Sequence, residues 1–262
     1  MDTKIFCEYL YKKYNNQNYI HTDPIRFPHT YAGDKEFIAF TAAMFAYGNV
    51  KAMTNFLHNF FTDCGADPLT LTTNPTNLKY RFQSTSDVAD YCTLMQRVYM
   101  EQGSLKNLLD KAIKGGATAP LVAVRDVVLR LRDYAPNGIT LGLNFLLSVP
   151  DKSASKRLWL FLRWMIRRDE VDFGLWDSFK PSALSMPLDT HITRFATHCG
   201  LLHGEKGSRA LAIVNNFFRD LTPEDPAKYD FALTRLGIAN GCQYERSAMC
   251  EKCEDRKYCV FI

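Results

Sequence analysis

The stretch Met186-Pro-Leu-Asp-Thr-His-Ile-Thr-Arg-Phe195 carries an apolar approach straight into the start of a helix. Asp189 stands where that helix begins, and a side-chain oxygen there can accept backbone N–H groups that have no partner inside the helix. Ile192 and Phe195 follow at helical spacing as an apolar stripe, with His191 and Arg194 pointing elsewhere. One carboxylate oxygen can bind the helix start while the other faces a cleft. Upstream, Lys156 opens a very apolar helix, and Lys156 and Asp189 are expected to form one site.

That upstream segment, Ser153–Arg168, holds Leu158, Trp159, Leu160, Phe161, Leu162, Trp164, Met165 and Ile166. A helix with so little polar face is buried nearly all round. Its exceptions, Lys156, Arg163 and Arg167, are related by steps of seven and four and therefore share one stripe. A cationic stripe on a buried helix implies an anionic partner in a cleft; otherwise the cations reach out to solvent. Ser153 or Asp151 is the expected cap, and the free N–H groups of the first turn favour a phosphate. A lysine nucleophile must shed its proton, and an ordinary lysine with a pKa of about 10.4 does so in fewer than about one molecule per thousand at neutral pH. A helix N-terminus and the neighbouring Arg157 and Arg163 act in the required direction.

Cysteine usage is lopsided. Cys242, Cys250, Cys253 and Cys259 crowd the C-terminal segment, whereas Cys7, Cys64, Cys92 and Cys199 are scattered. The spacing Cys-x7-Cys-x2-Cys-x5-Cys supplies four thiolates for a [4Fe–4S] cluster or a tetrahedral zinc. Acidic and basic residues nearly cancel in this tail.

The remaining chain reads as helices separated by Gly, Pro and Asn breakers. Helices are expected over 3–14, from Asp34 to a Tyr47-Gly48-Asn49 corner, and over 50–61, 86–101, 104–113, 119–134 and 139–147. Further helices are expected over 189–200, 207–219 and 225–239, with Pro223 and Pro226 at the front of the last. Residues 15–33 read as irregular. No period-2 run is bounded by hairpin turns, so the class is all-α. The division expected is a helical lobe over 34–133, a second over 1–33 plus 134–241, and a cysteine loop over 242–259. With 262 residues, 47% of them apolar, a net charge of +4, no run of 18 apolar residues and no signal-peptide core, a cytoplasmic, monomeric protein is expected.

Together these features resemble the helix-hairpin-helix DNA glycosylase superfamily of endonuclease III-like and MutY-like enzymes. Leu188-Asp-Thr-His-Ile-Thr-Arg194 matches the segment that follows the hairpin helix. The cysteine loop matches with seven rather than six residues in its first gap. Val149-Pro150-Asp-Lys-Ser-Ala-Ser-Lys156 stands in the place of the Leu-Pro-Gly-Val-Gly-x-Lys hairpin but lacks both glycines. The Lys-to-Asp interval is similar to that of archaeal 8-oxoguanine glycosylases, and the chain looks most like an uncharacterised bacterial family of unknown function grouped with that superfamily.

The resemblance implies a two-lobed helical fold, a [4Fe–4S] loop and double-stranded, damaged DNA as partner. It implies a DNA N-glycosylase with AP lyase activity in base excision repair, acting on an oxidised purine. Lys156 would be the Schiff-base nucleophile and Asp189 the carboxylate that assists it. Ser153, Ser155, Arg157 and Arg163 would lie against the DNA, and Tyr47 and Asn49 near the DNA or the extruded base. Trp176, in an irregular segment between Lys156 and Asp189, is the aromatic expected to line the base pocket, since a base within a duplex must be flipped out to react. The alternative is a non-catalytic nucleic-acid-binding protein that keeps this fold and its metal centre.

Overall fold

Capping side chains set several of the helix starts. The computed structural model describes residues 2–261. Among these it holds twelve α-helices and no strand, with only isolated bridges at Tyr80–Gln83, Pro136–Gly138 and Arg168–Phe173. The chain divides into two compact units, one of Met1–Thr22, Asp151–Phe173 and Lys180–Ile262, the other of Asp23–Pro150 and Gly174–Phe179.

The second of these units contains α2 (Arg26–Thr30), α3 (Lys35–Met44), α4 (Val50–Asp63), α5 (Thr85–Gln102), α6 (Leu105–Lys114), α7 (Pro120–Leu131) and α8 (Leu141–Leu146). Helix α3 is buried from Glu36 to Met44 and forms the centre of this unit. Asp34 caps it by accepting from Phe37 N at 2.7 Å. Asn49 caps α4 by accepting from Lys51 N and Ala52 N. Between them Gly48 has φ +83°, so the Tyr47-Gly-Asn corner needs glycine. The Glu36 carboxylate is buried and accepts from Tyr99 Oη at 2.9 Å, Trp176 Nε1 at 2.7 Å, and Leu105 N and Lys106 N at 2.6 and 2.9 Å. One side chain thus caps α6 and anchors the 174–179 segment.

The other unit contains α1 (Thr3–Tyr14), α9 (Lys156–Ile166), α10 (Thr190–His198), α11 (Gly207–Leu221), α12 (Asp230–Asn240) and the cysteine tail. Helices α1 and α10 both pack on α12. Phe6, Leu10, Phe195, Phe218, Leu233 and Tyr244 are among the side chains of their shared core.

The division differs from the lobes expected of the sequence. Residues 23–33 join the unit of α3 because α2 packs on α3, and 134–150 join it because α8 packs on α5. The cysteine tail is no separate body but packs against α1. Residues 15–33 contain a short helical turn and α2 rather than irregular chain. Helix α12 starts only at Asp230, because 225–229 is occupied by turns whose Asp225 reaches Arg167.

The cationic stripe of α9 does not face a cleft. Arg163 is 1% exposed; its Nε donates to Asp172 at 3.2 Å and its Nη1 to Asp230. Buried Arg167 donates to Asp225 at 2.9 Å, to Asp169 at 2.9 Å and to Asp172. Asp169 also accepts from Tyr11 and Asn15 at 3.0 Å. Helical spacing put the two arginines on one face, but carboxylates distant in sequence cover that face. Burial pushes the Asp172 and Asp225 carboxyls up from the usual range, against the pull of the arginines. Removing one partner of such a network leaves uncompensated buried charge. Arg163→Leu is therefore expected to cost about 3–5 kcal/mol, read as a lower midpoint in urea unfolding at neutral pH.

Candidate active site and cysteine loop

Lys156 is the first residue of α9 and is half-buried. Ser153 does not cap this helix. Ser155 occupies the cap position in a left-handed conformation, φ +48° and ψ +37°, with no side-chain cap bond. Ser153 Oγ instead accepts from Ser155 N at 3.0 Å and tightens the preceding turn. The Lys152 carbonyl accepts from Ser208 N at 3.0 Å. Gly207, at φ +58°, lies so close to that carbonyl that a Cβ would collide with it. The start of α11 thereby fixes the loop that presents Lys156. The cap residue makes no side-chain bond to the helix, and the positive end of the helix dipole lies beside the lysine.

Asp189 caps α10 as the sequence implies. Its Oδ1 accepts from Ile192 N at 2.7 Å, and among the described residues its Oδ2 accepts no hydrogen bond. No ion pair within 4 Å joins Lys156 to Asp189 or to any other described carboxylate. The two are related through His191. Burial chiefly lowers the His191 imidazole from the ordinary 6.5; Asp189 acts on it in the opposite sense, and Arg194, Arg235 and Lys156 reinforce the lowering. The ring lies on α12 at Gly237, where a Cβ would collide with Nδ1, and its edge meets Tyr244 with centroids 6.1 Å apart. Its buried Nδ1 has no hydrogen-bond partner among the described residues. Reading the motif by its apolar stripe set His191 aside, yet it stands within electrostatic reach of both expected catalytic groups.

The remaining expected contact residues divide. Arg157 is half-buried on the first turn of α9. Ser155 is buried and Arg163 is held by Asp172 and Asp230, so neither is a surface contact for DNA. Trp176 is 3% exposed and spends its N–H on Glu36, which makes it a buried strut of its unit and not a pocket wall. Asn49 is exposed, with its side-chain oxygen committed to capping α4.

Tyr47 belongs to a surface that the sequence reading missed. Its hydroxyl donates to Gln83 Oε1, its carbonyl accepts from Tyr80 Oη, and Gln83 Nε2 donates to the Gly142 carbonyl at 2.8 Å. Tyr80 and Gln83 exchange backbone bonds of 3.0 and 2.8 Å, closing a tight turn whose tip is Arg81-Phe82. Arg81 has φ +49° and its side chain covers Gly48. Phe82 is 54% exposed, lies beside Phe145 at 4.5 Å and carries the Arg81 guanidinium at 5.4 Å. The adjoining groove is lined by Asn55, Asn59, Asn77, Lys79, Arg81 and Gln83 and has no carboxylate on its walls. The signal available in sequence was an Arg-Phe pair inside a short segment with no apolar period.

The four cysteines of the tail line one small cavity with Phe6, Leu236 and Phe261. Three of their sulfurs face N–H donors: Tyr244 N to Cys242 at 3.3 Å, Ser247 N to Cys250 at 3.4 Å and Phe261 N to Cys259 at 3.5 Å. A thiol accepts weakly, so several backbone donors aimed at sulfurs suit ligating thiolates. A tetrahedral zinc would draw its sulfurs to about 3.8 Å of one another. Among the described residues no group of three or more His, Cys, Asp or Glu side chains is gathered to hold a single ion. Four thiols lining one cavity are a donor set that suits an iron–sulfur cluster or a zinc ion. Asp255, 1% exposed within this loop, accepts from Tyr9, Tyr14, Lys13 and Asn240 at 2.6–2.9 Å and pins the loop to α1 and α12.

A match to the family described as protein of unknown function (DUF2400) spans residues 23–239. The chain belongs to the DUF2400 family. No curated protein and no solved structure matches it. In this DUF2400 protein the matched segment includes Lys156, Asp189 and His191 and ends before Cys242, so the four cysteines lie outside it. No helix among the described residues is long and apolar enough to cross a membrane.

The His191 imidazole is expected to titrate below 6.5, observable by nitrogen-15 NMR of the histidine rings. The unfolded chain then binds the proton more readily than the folded one, so this residue's contribution to stability is lost as the pH falls through the unfolded value. The slope of stability against pH between about 5 and 7 should be shallower in His191→Gln.

Proposed function

We propose that this protein is a DNA glycosylase of the helix-hairpin-helix kind, with AP lyase activity, acting on an oxidised purine in double-stranded DNA. The carrying observation is the arrangement of Lys156 and Asp189. A half-buried lysine at a helix start carries no ion pair, and a carboxylate with one uncommitted oxygen acts on the same imidazole as that lysine. A direct ion pair would hold a lysine as its ammonium. No such pair joins Lys156 to Asp189.

In this reading the flipped nucleotide presents its anomeric carbon to Lys156. The amine's lone pair forms a bond to that carbon, the bond to the base breaks, and its electron pair leaves with the base, which takes up a proton. Asp189 stabilises the positive charge that develops on the sugar and accepts the proton released by the nitrogen. Opening of the sugar gives the imine, from which loss of a neighbouring proton expels the 3′ phosphate. The four cysteines are read as the holder of a [4Fe–4S] cluster, which when bound would cross-link the tail and stabilise it. The Arg81-Phe82 tip is read as a DNA contact, because an exposed aromatic can stack on bases while a cation meets phosphate.

Borohydride trapping on duplexes carrying 8-oxoguanine tests the nucleophile. Wild-type protein should form a covalent adduct, and Lys156→Ala should form none; an undiminished adduct in the variant rules out Lys156. Asp189→Asn keeps an N-cap of similar quality, so its unfolding midpoint should barely move. Its trapping rate should nonetheless fall by about 100-fold or more.

Binding isotherms at several salt concentrations test the tip. Arg81→Ala should reduce the slope of log affinity against log salt by about one contact's worth. Phe82→Ala should weaken binding by about 1–3 kcal/mol without changing that slope. Unchanged binding in both variants would remove the tip from the interface.

A further inference from the structure

We propose that Tyr244 is a positioning residue that couples the four-cysteine site to the Asp189 end of α10. This rests on reading the cysteines as an inorganic centre and adds a consequence for the carboxylate.

The outer two cysteines share a device. Two residues after each comes an aromatic whose N–H donates to the cysteine sulfur and whose ring enters the core: Tyr244 after Cys242 and Phe261 after Cys259. Tyr244 is fully buried and sits at φ +63°, a left-handed conformation that is strained for a non-glycine residue. Such strain persists only where the surroundings over-determine it. Here they do. The hydroxyl donates to the Leu233 carbonyl of α12 at 2.8 Å. The ring meets His191 at 6.1 Å, Phe195 at 6.4 Å and Phe261 at 6.0 Å.

Both ends of this chain of contacts matter. At one end, the Tyr244 backbone follows the Cys242 sulfur. At the other, His191 and Phe195 are the side chains through which α10 rests on the tyrosine, and His191 lies two residues beyond Asp189. A second link runs in parallel on the surface, where Arg194 Nη1 donates to Gln243 Oε1 at 2.6 Å. Fixing Cys242 in a metal centre restricts Tyr244, and a restricted Tyr244 restricts the first turns of α10. The coupling is reciprocal, since a bond that tightens one site from the other must act equally in return. Loosening the Asp189 cap should therefore weaken metal binding at the cysteines.

The experiment measures hydrogen–deuterium exchange of the α10 amides in the full chain. The apo protein is compared with protein reconstituted anaerobically with ferrous iron and sulfide. Uptake is followed by iron content and by a brown absorption at about 400 nm. In wild type, loading should slow exchange over Ile192–Phe195 by at least about five-fold. Tyr244→Leu should take up the same iron with that factor reduced towards one, whereas Tyr244→Phe, which keeps the ring, should retain it.

A second measurement stands if Tyr244→Leu does not fold. Using Zn2+ alone as the probe, Asp189→Ala should lower affinity at the cysteines by the same factor, and Asp189→Asn should not. Wild-type loading that leaves α10 exchange unchanged overturns the coupling while leaving the cysteine centre intact. So does full slowing in Tyr244→Leu, or equal zinc affinity in the two Asp189 variants. No uptake of iron by wild type overturns the cysteine reading and the coupling with it.

Discussion

Two arginines on α9 and the aspartates that meet them fix the unit that carries the candidate site. Arg163 ties α9 to Asp172 and to Asp230, the first residue of α12; Arg167 ties its end to Asp169, Asp172 and Asp225. Through Asp169 the network also reaches Tyr11 and Asn15 of α1. Buried ion pairs are weak contributors to net stability, because desolvation offsets most of the attraction. Their geometry is demanding, however, and an arginine fork accepts few alternatives. The network therefore sets where α9 runs with respect to α12. Since His191 lies against α12 at Gly237, the same constraint sets where Lys156 stands with respect to Asp189 and His191.

Much of the helical order was legible from spacing and caps. Asp34, Asn49 and Asp189 each sit at a helix start and accept the N–H groups their side chains imply. Apolar periodicity located α1, α4 and α5 nearly to their ends, because those helices pair a buried stripe with a polar face. Helix α9 was harder. Its burial was plain from composition, but a stripe of cations says only that the face needs counter-charges. It does not say whether DNA or the protein supplies them. Asp230 lies 67 positions from Arg163, and no local rule connects them. The same limit explains Trp176, whose partner Glu36 is 140 positions away. A tryptophan in an irregular segment looks available until the buried carboxylate beneath it is known.

The candidate site was legible in its parts and not in its linkage. Lys156 and Asp189 stood out because one is a lysine at the very start of an apolar helix and the other a cap with an oxygen to spare. His191 did not, because its importance comes from what crowds it, and Gly237 and Tyr244 are remote in sequence. The cysteine spacing raised the expectation of a metal centre, but the aromatics two residues past Cys242 and Cys259 passed as ordinary core. Each in fact serves both the core and a sulfur. The Arg81-Phe82 tip was invisible to periodicity because a tight turn has none, and its exposure follows from bonds between Tyr80, Gln83, Tyr47 and Gly142 that span separate segments.

These observations bear on how a lysine and a carboxylate can serve one reaction. Placed in contact, the carboxylate would hold the lysine charged and useless as a nucleophile. Placed far apart, it could neither stabilise charge on the sugar nor take the proton. The cap bond to Ile192 engages one oxygen of Asp189, and burial lowers the His191 imidazole from its ordinary value, with Asp189 opposing and Lys156 reinforcing the shift. What keeps that ring buried is Tyr244 on one side and the missing Cβ of residue 237 on the other. A substituent at Gly237 would displace the imidazole from its seat on α12. The catalytic reading therefore depends as much on a glycine and a tyrosine as on the lysine and the aspartate.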